Sequence, residues 1–374
     1  MENLVFKKKE KLVFAILILF VLTLPFQSAL AVDANAPYNR WSERGRIISW
    51  QHLKRLSERQ MYHSIMEMPW KDTYPNLDLS DLWDFFTRRE LRKALDYHVD
   101  VYQLIYETVD AHGNPTAASG AVLVPRKRRK EGSLLSLQRG TIFLDQDAPS
   151  YGGLFNWGIW RGLLPASSGF FTIMPDYLGY GASKHMVHPY MISESTATAI
   201  IDMIRAAKTF ALQLGWSLDD KLFLAGLSEG GYATMAAHKE IEANYSDTLS
   251  VTASAPAGGP YLPSVIMPGI LSGEYAFAAN IVSHVLMSYN ETYGFDRPLG
   301  DFFNPPYDEL MWTLQDKSHS EDYVESQMPL YTVELYAEPF LSEIRGNGEA
   351  ELKAAFAEND LHTGWTPIAP VRIY

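Results

Sequence analysis

The chain has 374 residues and not one cysteine. That excludes disulfides, a lipid-bearing N-terminal cysteine, a cysteine nucleophile and thiolate metal sites. An exported chain without disulfides must be held by its apolar core, and 47% hydrophobic residues can supply one. Positive charge is also scarce. Lys and Arg number 32 against 44 Asp and Glu, a formal net charge of -12, which repels phosphate backbones and argues against a nucleic-acid partner. The single basic run, Arg126-Lys127-Arg128-Arg129-Lys130, lies between two strand-like segments and reads as a solvated turn. There is no H-E-x-x-H, and no G-x-G-x-x-G follows a strand, so neither a metal nor a nucleotide cofactor is implied. Internal repeats and low-complexity tracts are missing too.

What is present begins with an export signal. Lys7, Lys8, Lys9 and Lys11 form a basic region, Leu12 to Phe26 an apolar core, and Ala29-Leu30-Ala31 a small-residue cleavage site. Residues 1–31 are therefore expected to be removed after Ala31, giving a secreted or periplasmic protein. Residues 32–97, with amphipathic pieces such as Ile47 to Met61 and a Pro- and Asp-rich stretch near Pro69 to Asp81, read as an N-terminal helical extension. Asn244-Tyr-Ser and Asn290-Glu-Thr match glycosylation acceptors, relevant only in a host that glycosylates exported proteins.

From Val99 the punctuation becomes regular. "VDVYQLIYETVD", "AHGN" and "ASGAVLVP" spell a hairpin. "LLSLQRGTIF" (Leu134 to Phe143) and "GFFTIMPDYLGYG" (Gly169 to Gly181) are further strands. Behind Ser193 as N-cap and Glu194, the residues Ile200, Met203, Ile204, Ala207, Phe210, Ala211 and Leu214 recur at helical spacing. "KLFLAG" and "SVTASAPAGGP" complete the series. Strands alternating with helices, the later strands continuously apolar, predict an α/β fold with a parallel sheet covered on both faces over residues 98–260. Residues 261–363 break this rhythm with Met- and aromatic-rich helical stretches and read as a lid or insertion. Residues 364–374 resume a core strand with "APVRIY".

One motif carries chemistry. In "KLFLAGLSEGGYATM", Ser228 stands between Gly226 and Gly230 where a strand becomes a helix. So sharp a bend needs flanking residues with almost no side chain. It forces the central residue into a strained conformation and lifts its hydroxyl clear of the sheet edge. There the first amides of the helix favour developing negative charge.

With "SLQRGT", "MPDYLGYGASKHMVHPY", "GLSEGGYATM" and "TASAPAGGPY" in that order, the chain resembles the α/β-hydrolase superfamily, and within it secretory-lipase-like and exported bacterial esterase-like serine hydrolases. The resemblance implies a mostly parallel sheet with an N-terminal antiparallel hairpin, helices on both faces and a helical lid. It makes Ser228 the nucleophile. The oxyanion hole would take one amide from Glu229 and another from Gly140 or Thr141, in a loop that has Arg139 where the family usually has histidine. Asp176, with Gly179 and Gly181, reads as loop architecture beside the site. His185 and His188 precede Ser228 and read as structural.

A serine needs a histidine and an orienting carboxylate. The resemblance places both after late strands, so they are expected beyond Tyr374, the chain being read as C-terminally truncated. In-chain candidates are Asp360 and His362, with His284 and Asp296 further back. The implied activity is ester hydrolysis without a cofactor, on a small-molecule or lipid ester, with the lid (Val265 to Gly294 in particular) meeting acyl chain or lipid interface. A peptidase on the same fold and a non-catalytic binding protein are the alternatives. Reading the coding DNA past Tyr374 should reveal a His-Gly-x-x-Asp-like segment and a later histidine; a stop codon directly after Tyr374 would contradict truncation.

Overall fold

The computed structural model describes residues 44–66, 91, 93–154 and 158–374. The expected signal peptide and much of the N-terminal extension lie outside the described residues. Strands β1 (Ile47–Leu56), β2 (Val99–Val109), β3 (Pro115–Pro125), β4 (Glu131–Gln138), β5 (Phe171–Pro175), β6 (Ser217–Leu227) and β7 (Val251–Ala257) form one sheet in the order β1-β2-β3-β5-β4-β6-β7. β5, β4, β6 and β7 run parallel, while β1, β2 and β3 join antiparallel. The β2–β3 hairpin turns where Asp110 accepts the N–H groups of His112 and Asn114 and Gly113 takes a φ of 79°.

The central strands are buried on both faces, and the period of two sorts their side chains. Ile173 of β5 belongs to one apolar cluster and its neighbour Met174 to the other; Val122 and Leu123 of β3 divide the same way. One face is covered by helices α1 (Glu58–Met66) and α2 (Trp160–Ser167) through Met61 and Leu163. The other is covered by α3 (Ser193–Gln213) and α4 (Glu229–Asn244) through Ile200, Ile204, Phe210 and Tyr232. This is the expected α/β architecture.

Three expectations are corrected. Ile47–Leu56 is a strand, not a helix, and among the described residues α1 follows it as helix. The free edge of β2 offers backbone partners, and pairing runs from Ile47↔Tyr106 to Leu56↔Val99 with two register shifts. Trp50 and His52, two residues apart, both pack on Tyr102, and Trp50 reaches Phe210. β4 ends at Gln138, so residues 139–143 are loop. Ser193 is the first residue of α3 rather than its cap; its N–H donates to Oδ1 of Asn359, 2.7 Å away and 166 positions along the chain.

Between β7 and the last residues lie α5 (Pro263–Leu271), α6 (Ala279–Thr292), α7 (Tyr307–Leu314), α8 (Glu321–Ser326), α9 (Thr332–Leu335), α10 (Glu338–Arg345) and α11 (Ala350–Glu358). Val285, Tyr289, Phe340 and Phe356 of this segment join the cluster that holds Ile200 and Tyr232, so it shares the core of the sheet. The chain then returns. Glu242 of α4 accepts the indole N–H of Trp365 and the backbone N–H of Ala369, and Val371 bridges Ser254 of β7 in parallel. Residues 370–374 thus run along β7, as "APVRIY" leads one to expect.

Asn359 is buried and serves three partners at once, since its Nδ2 also donates to the Tyr293 hydroxyl and to Ala355 O. Asn359→Ala should destabilise the protein by about 2 kcal/mol, the loss of a helix cap plus a buried hydrogen bond. Equilibrium urea unfolding checks this; a change below about 0.5 kcal/mol would contradict the assigned cap.

Candidate active site

β6 runs out at Leu227 and α4 starts at Glu229, leaving Ser228 alone to make the bend. It does so at φ 60°, ψ −124°, a region that L residues rarely enter. Its own N–H donates to Ala257 O at 2.9 Å, tying the bend to the end of β7. A side chain on Gly226 would run into the carbonyl of Gly230, one on Gly230 into Gln138 O, and one on Gly231 into Ala257 O. Three backbones therefore meet at the bend, which is why the glycines flank it. The Ser228 side chain is exposed and makes no capping bond to its helix, so the hydroxyl is free to face a substrate.

The loop after β4 lies against this bend. A methyl built on Gly140 would sit 3.8 Å from Ser228 Cβ and 3.3 Å from Leu227 O. Among the described residues, the backbone N–H groups of Thr141 and Glu229 have no hydrogen-bond acceptor. The first amides of a helix have no intrahelical partner in any case. The hydroxyl of Thr141 is taken by Tyr190, with the two oxygens 2.6 Å apart.

Behind the bend lies a sealed charge network. The Glu229 side chain points away from Ser228 into the interior, where Oε2 accepts from Arg139 Nη1 at 2.8 Å and Oε1 lies 2.8 Å from His188 Nε2. Arg139 is fully buried and held between the rings of Tyr177 and Tyr180, 4.4 and 4.6 Å from their centroids. It also donates to Asp176 O through Nε and Nη2, and to Gly140 O through Nη1. Burial alone would push the Glu229 carboxyl up, but Arg139 and His188 outweigh it and hold it below its ordinary range. Burial pulls His188 below its ordinary value against the attraction of Glu229. Its Nδ1 lies 2.6 Å from Leu178 O, so a neutral ring has one N–H for which Leu178 and Glu229 compete.

Asp176 sits under this network as an anchor, accepting from Ser119 Oγ at 2.5 Å and from Ser150 N–H at 2.8 Å. Burial raises its pKa. His185 is exposed, whereas His188 is buried and hydrogen-bonded. Both border an open cavity of about 240 Å³ that α6 and α7 line with His284 and Trp312, and which Lys317 also lines. His284 packs edge-on to His188, their ring centres 5.4 Å apart, and burial drives its pKa well below the ordinary value. Burial likewise lowers Lys317 to about 8.

Thus Ser228, Glu229, Gly140 and Thr141 come together. Asp360 and His362 do not join them. Both carboxylate oxygens of Asp360 serve Ser264 at the start of α5, accepting its N–H at 3.1 Å and its hydroxyl at 2.5 Å. His362 and Asp296 are exposed. One other constellation has the bond order of a catalytic relay: Ser254 Oγ lies 2.8 Å from His238 Nδ1, and His238 Nε2 lies 2.9 Å from Glu242. Ser254 and His238 are buried in the sheet–helix interface, and Glu242 is occupied by Trp365, Ile368 and Ala369, so this trio secures the returning chain. Sequence reasoning missed the Arg139–Glu229–His188 network. Its members are 41 to 90 positions apart; the one local signal was an arginine placed directly after an apolar strand.

The profile of the family described as secretory lipase matches residues 162–374. Lipase A of the fungus Arthroderma benhamiae is 26% identical over 221 residues, 55% of this chain and 45% of that protein. The trichothecene C-3 esterase of Fusarium sporotrichioides is 30% identical over 159 residues, 40% of this chain and 34% of that protein. The chain therefore spans less than half the length of these two relatives. Among solved structures, the rice cell wall degrading esterase LipA from Xanthomonas oryzae superposes with a TM-score of 0.72 at 25% identity, covering 88% of this chain and 82% of that one.

Because the folded pKa of Glu229 is lowered, its ion pair stabilises fully above the ordinary carboxyl value of 4.5 and is lost as pH falls through the depressed folded value. Glu229→Gln should therefore cost about 3 kcal/mol at pH 7. The gap to wild type should shrink progressively below pH 4.5. Denaturant unfolding at a series of pH values measures this; a gap independent of pH would mean the carboxylate charge is not what stabilises.

Proposed function

Because the chain belongs to the secretory lipase family, we propose that it is an exported serine hydrolase that cleaves carboxylic esters through an acyl-enzyme on Ser228. The observation that carries this reading is the exposed Ser228 at φ 60° beside the unpartnered amides of Thr141 and Glu229. The serine oxygen adds to the acyl carbonyl as its proton passes to a base. The carbonyl oxygen, now anionic, accepts from the two amides; the alcohol leaves, and water releases the acid by the same route in reverse. A single donor in such a hole contributes about 3 kcal/mol to the barrier. The relay histidine and its acid are assigned to neither Asp360 nor His362, since the first is committed to Ser264 and no contact links either to Ser228 among the described residues.

The helical segment from α5 to α11 is read as a lid. It supplies His284, Met287 and Trp312 to the cavity that borders His188, the partner of Glu229 behind the bend. The similar fungal lipase and the two similar esterases are named for ester cleavage, which favours an ester over an amide as the scissile group.

A fluorophosphonate probe should label the protein, and Ser228→Ala should abolish labelling and lower 4-nitrophenyl butyrate hydrolysis by at least about 10³-fold. Hydrolysis of an aminoacyl 4-nitroanilide in preference to the ester would favour a peptidase. In a protein that carries its relay histidine and acid, absence of both labelling and turnover would leave only a binding role.

A further inference from the structure

We propose that Arg139 is a positioning residue that orients the Thr141 amide toward the oxyanion, by clamping the Gly140 carbonyl to the buried carboxylate of Glu229. The inference rests on the ester-hydrolase reading of Ser228 and assigns the device that sets its oxyanion hole.

The argument begins with one nitrogen. Arg139 Nη1 carries two hydrogens; it lies 2.9 Å from Gly140 O and 2.8 Å from Glu229 Oε2, one contact on each side of the hole. In a planar trans peptide the C=O and the next N–H point in opposite directions. Holding Gly140 O toward the guanidinium therefore aims Thr141 N–H away from it, and a methyl on Gly140 would lie 3.8 Å from Ser228 Cβ, so the peptide that is held borders the bend. Without that hold the peptide is free to rotate, because glycine tolerates either orientation of its flanking peptide. A rotated peptide would present a carbonyl oxygen to the site, where it would repel the oxyanion.

The guanidinium itself has little freedom. Nε and Nη2 both reach Asp176 O, at 3.1 and 2.8 Å, and the tyrosine rings of Tyr177 and Tyr180 lie against its faces. The preceding peptide is held as well, since Arg139 O accepts from the Tyr177 hydroxyl at 3.1 Å. On the other side, Glu229 is fixed by Arg139 and His188 together, which anchors the first residue of α4 and with it the second amide. One planar fork thus connects both donors of the hole. A lysine could supply the charge but not the fork.

Two variants test this on the full chain. Arg139→Lys keeps the charge. The double variant Arg139→Met/Glu229→Leu removes the clamp and the charge together, so that no unpaired buried carboxylate is left to prevent folding, and it keeps the backbone amide of residue 229. In both, kcat for 4-nitrophenyl butyrate should fall by about 10²-fold or more, with KM within about threefold, because a transition-state contact is lost and a ground-state contact is not. The inhibition constant of an alkyl boronic acid, whose tetrahedral serine adduct puts an anionic oxygen in the hole, should rise by a similar factor. Full rescue of kcat by lysine, or unchanged kcat and boronate affinity in the double variant with a cooperative melt, would overturn the proposal. Hydrogen exchange of peptides spanning 138–145 and 224–232 needs no turnover. It should accelerate in both variants relative to wild type, and unchanged exchange would count against the clamp. Accelerated exchange in a protein that carries its relay histidine and acid yet never hydrolyses the ester would sink the ester-hydrolase reading and leave the clamp standing.

Discussion

Two opposite charges sealed beneath the bend at Ser228 are the constraint around which this molecule is arranged. Arg139 and Glu229 meet at 2.8 Å with almost no exposure to solvent. Placing either alone in the interior would cost several kcal/mol of lost hydration, so neither persists without the other. The remaining donors of the guanidinium are used as well, on Asp176 O and Gly140 O. Because Glu229 is the first residue of α4 and Arg139 the first residue past β4, the pair fastens two neighbouring parallel strands at the edge where chemistry is proposed.

That fastening explains how the bend at Ser228 is tolerated. A positive φ on a residue with a side chain is unfavourable and persists only where its surroundings over-determine it. Here the surroundings are the close approach of Gly226, Gly230 and Gly231 to backbone carbonyls, the bond from Ser228 N–H to Ala257 O, and the buried ion pair one residue on. The sheet supplies the frame. Parallel strands β4, β6 and β7 end side by side, and the loops they release lie against each other.

The helical segment after β7 follows a different logic. It has no sheet of its own and is held by the same apolar cluster as α3 and α4, together with a few long-range polar ties. Asn359 caps α3, Asp360 caps α5, and Glu242 receives the chain as it returns to the sheet. Residues that look catalytic in isolation, Asp360 and His238 among them, are spent on this docking. Carboxylates and imidazoles suit both tasks because both need strong, directional hydrogen bonds.

The sequence by itself determined the α/β class, the hairpin, the parallel strands and the serine at the bend, because each is written in local periodicity or in glycines that a sharp turn requires. It left β1 misread, since an amphipathic ten-residue segment becomes a strand only where an unpaired edge such as that of β2 is offered. It could not show that Asn359 rather than Ser193 caps α3, nor that Arg139, Glu229 and His188 converge, since no spacing rule links positions 41 to 166 residues apart. Those pairings were decided only by the tertiary structure, because burial leaves each polar group no water to turn to and makes whichever partner the fold brings near its sole source of hydrogen bonds.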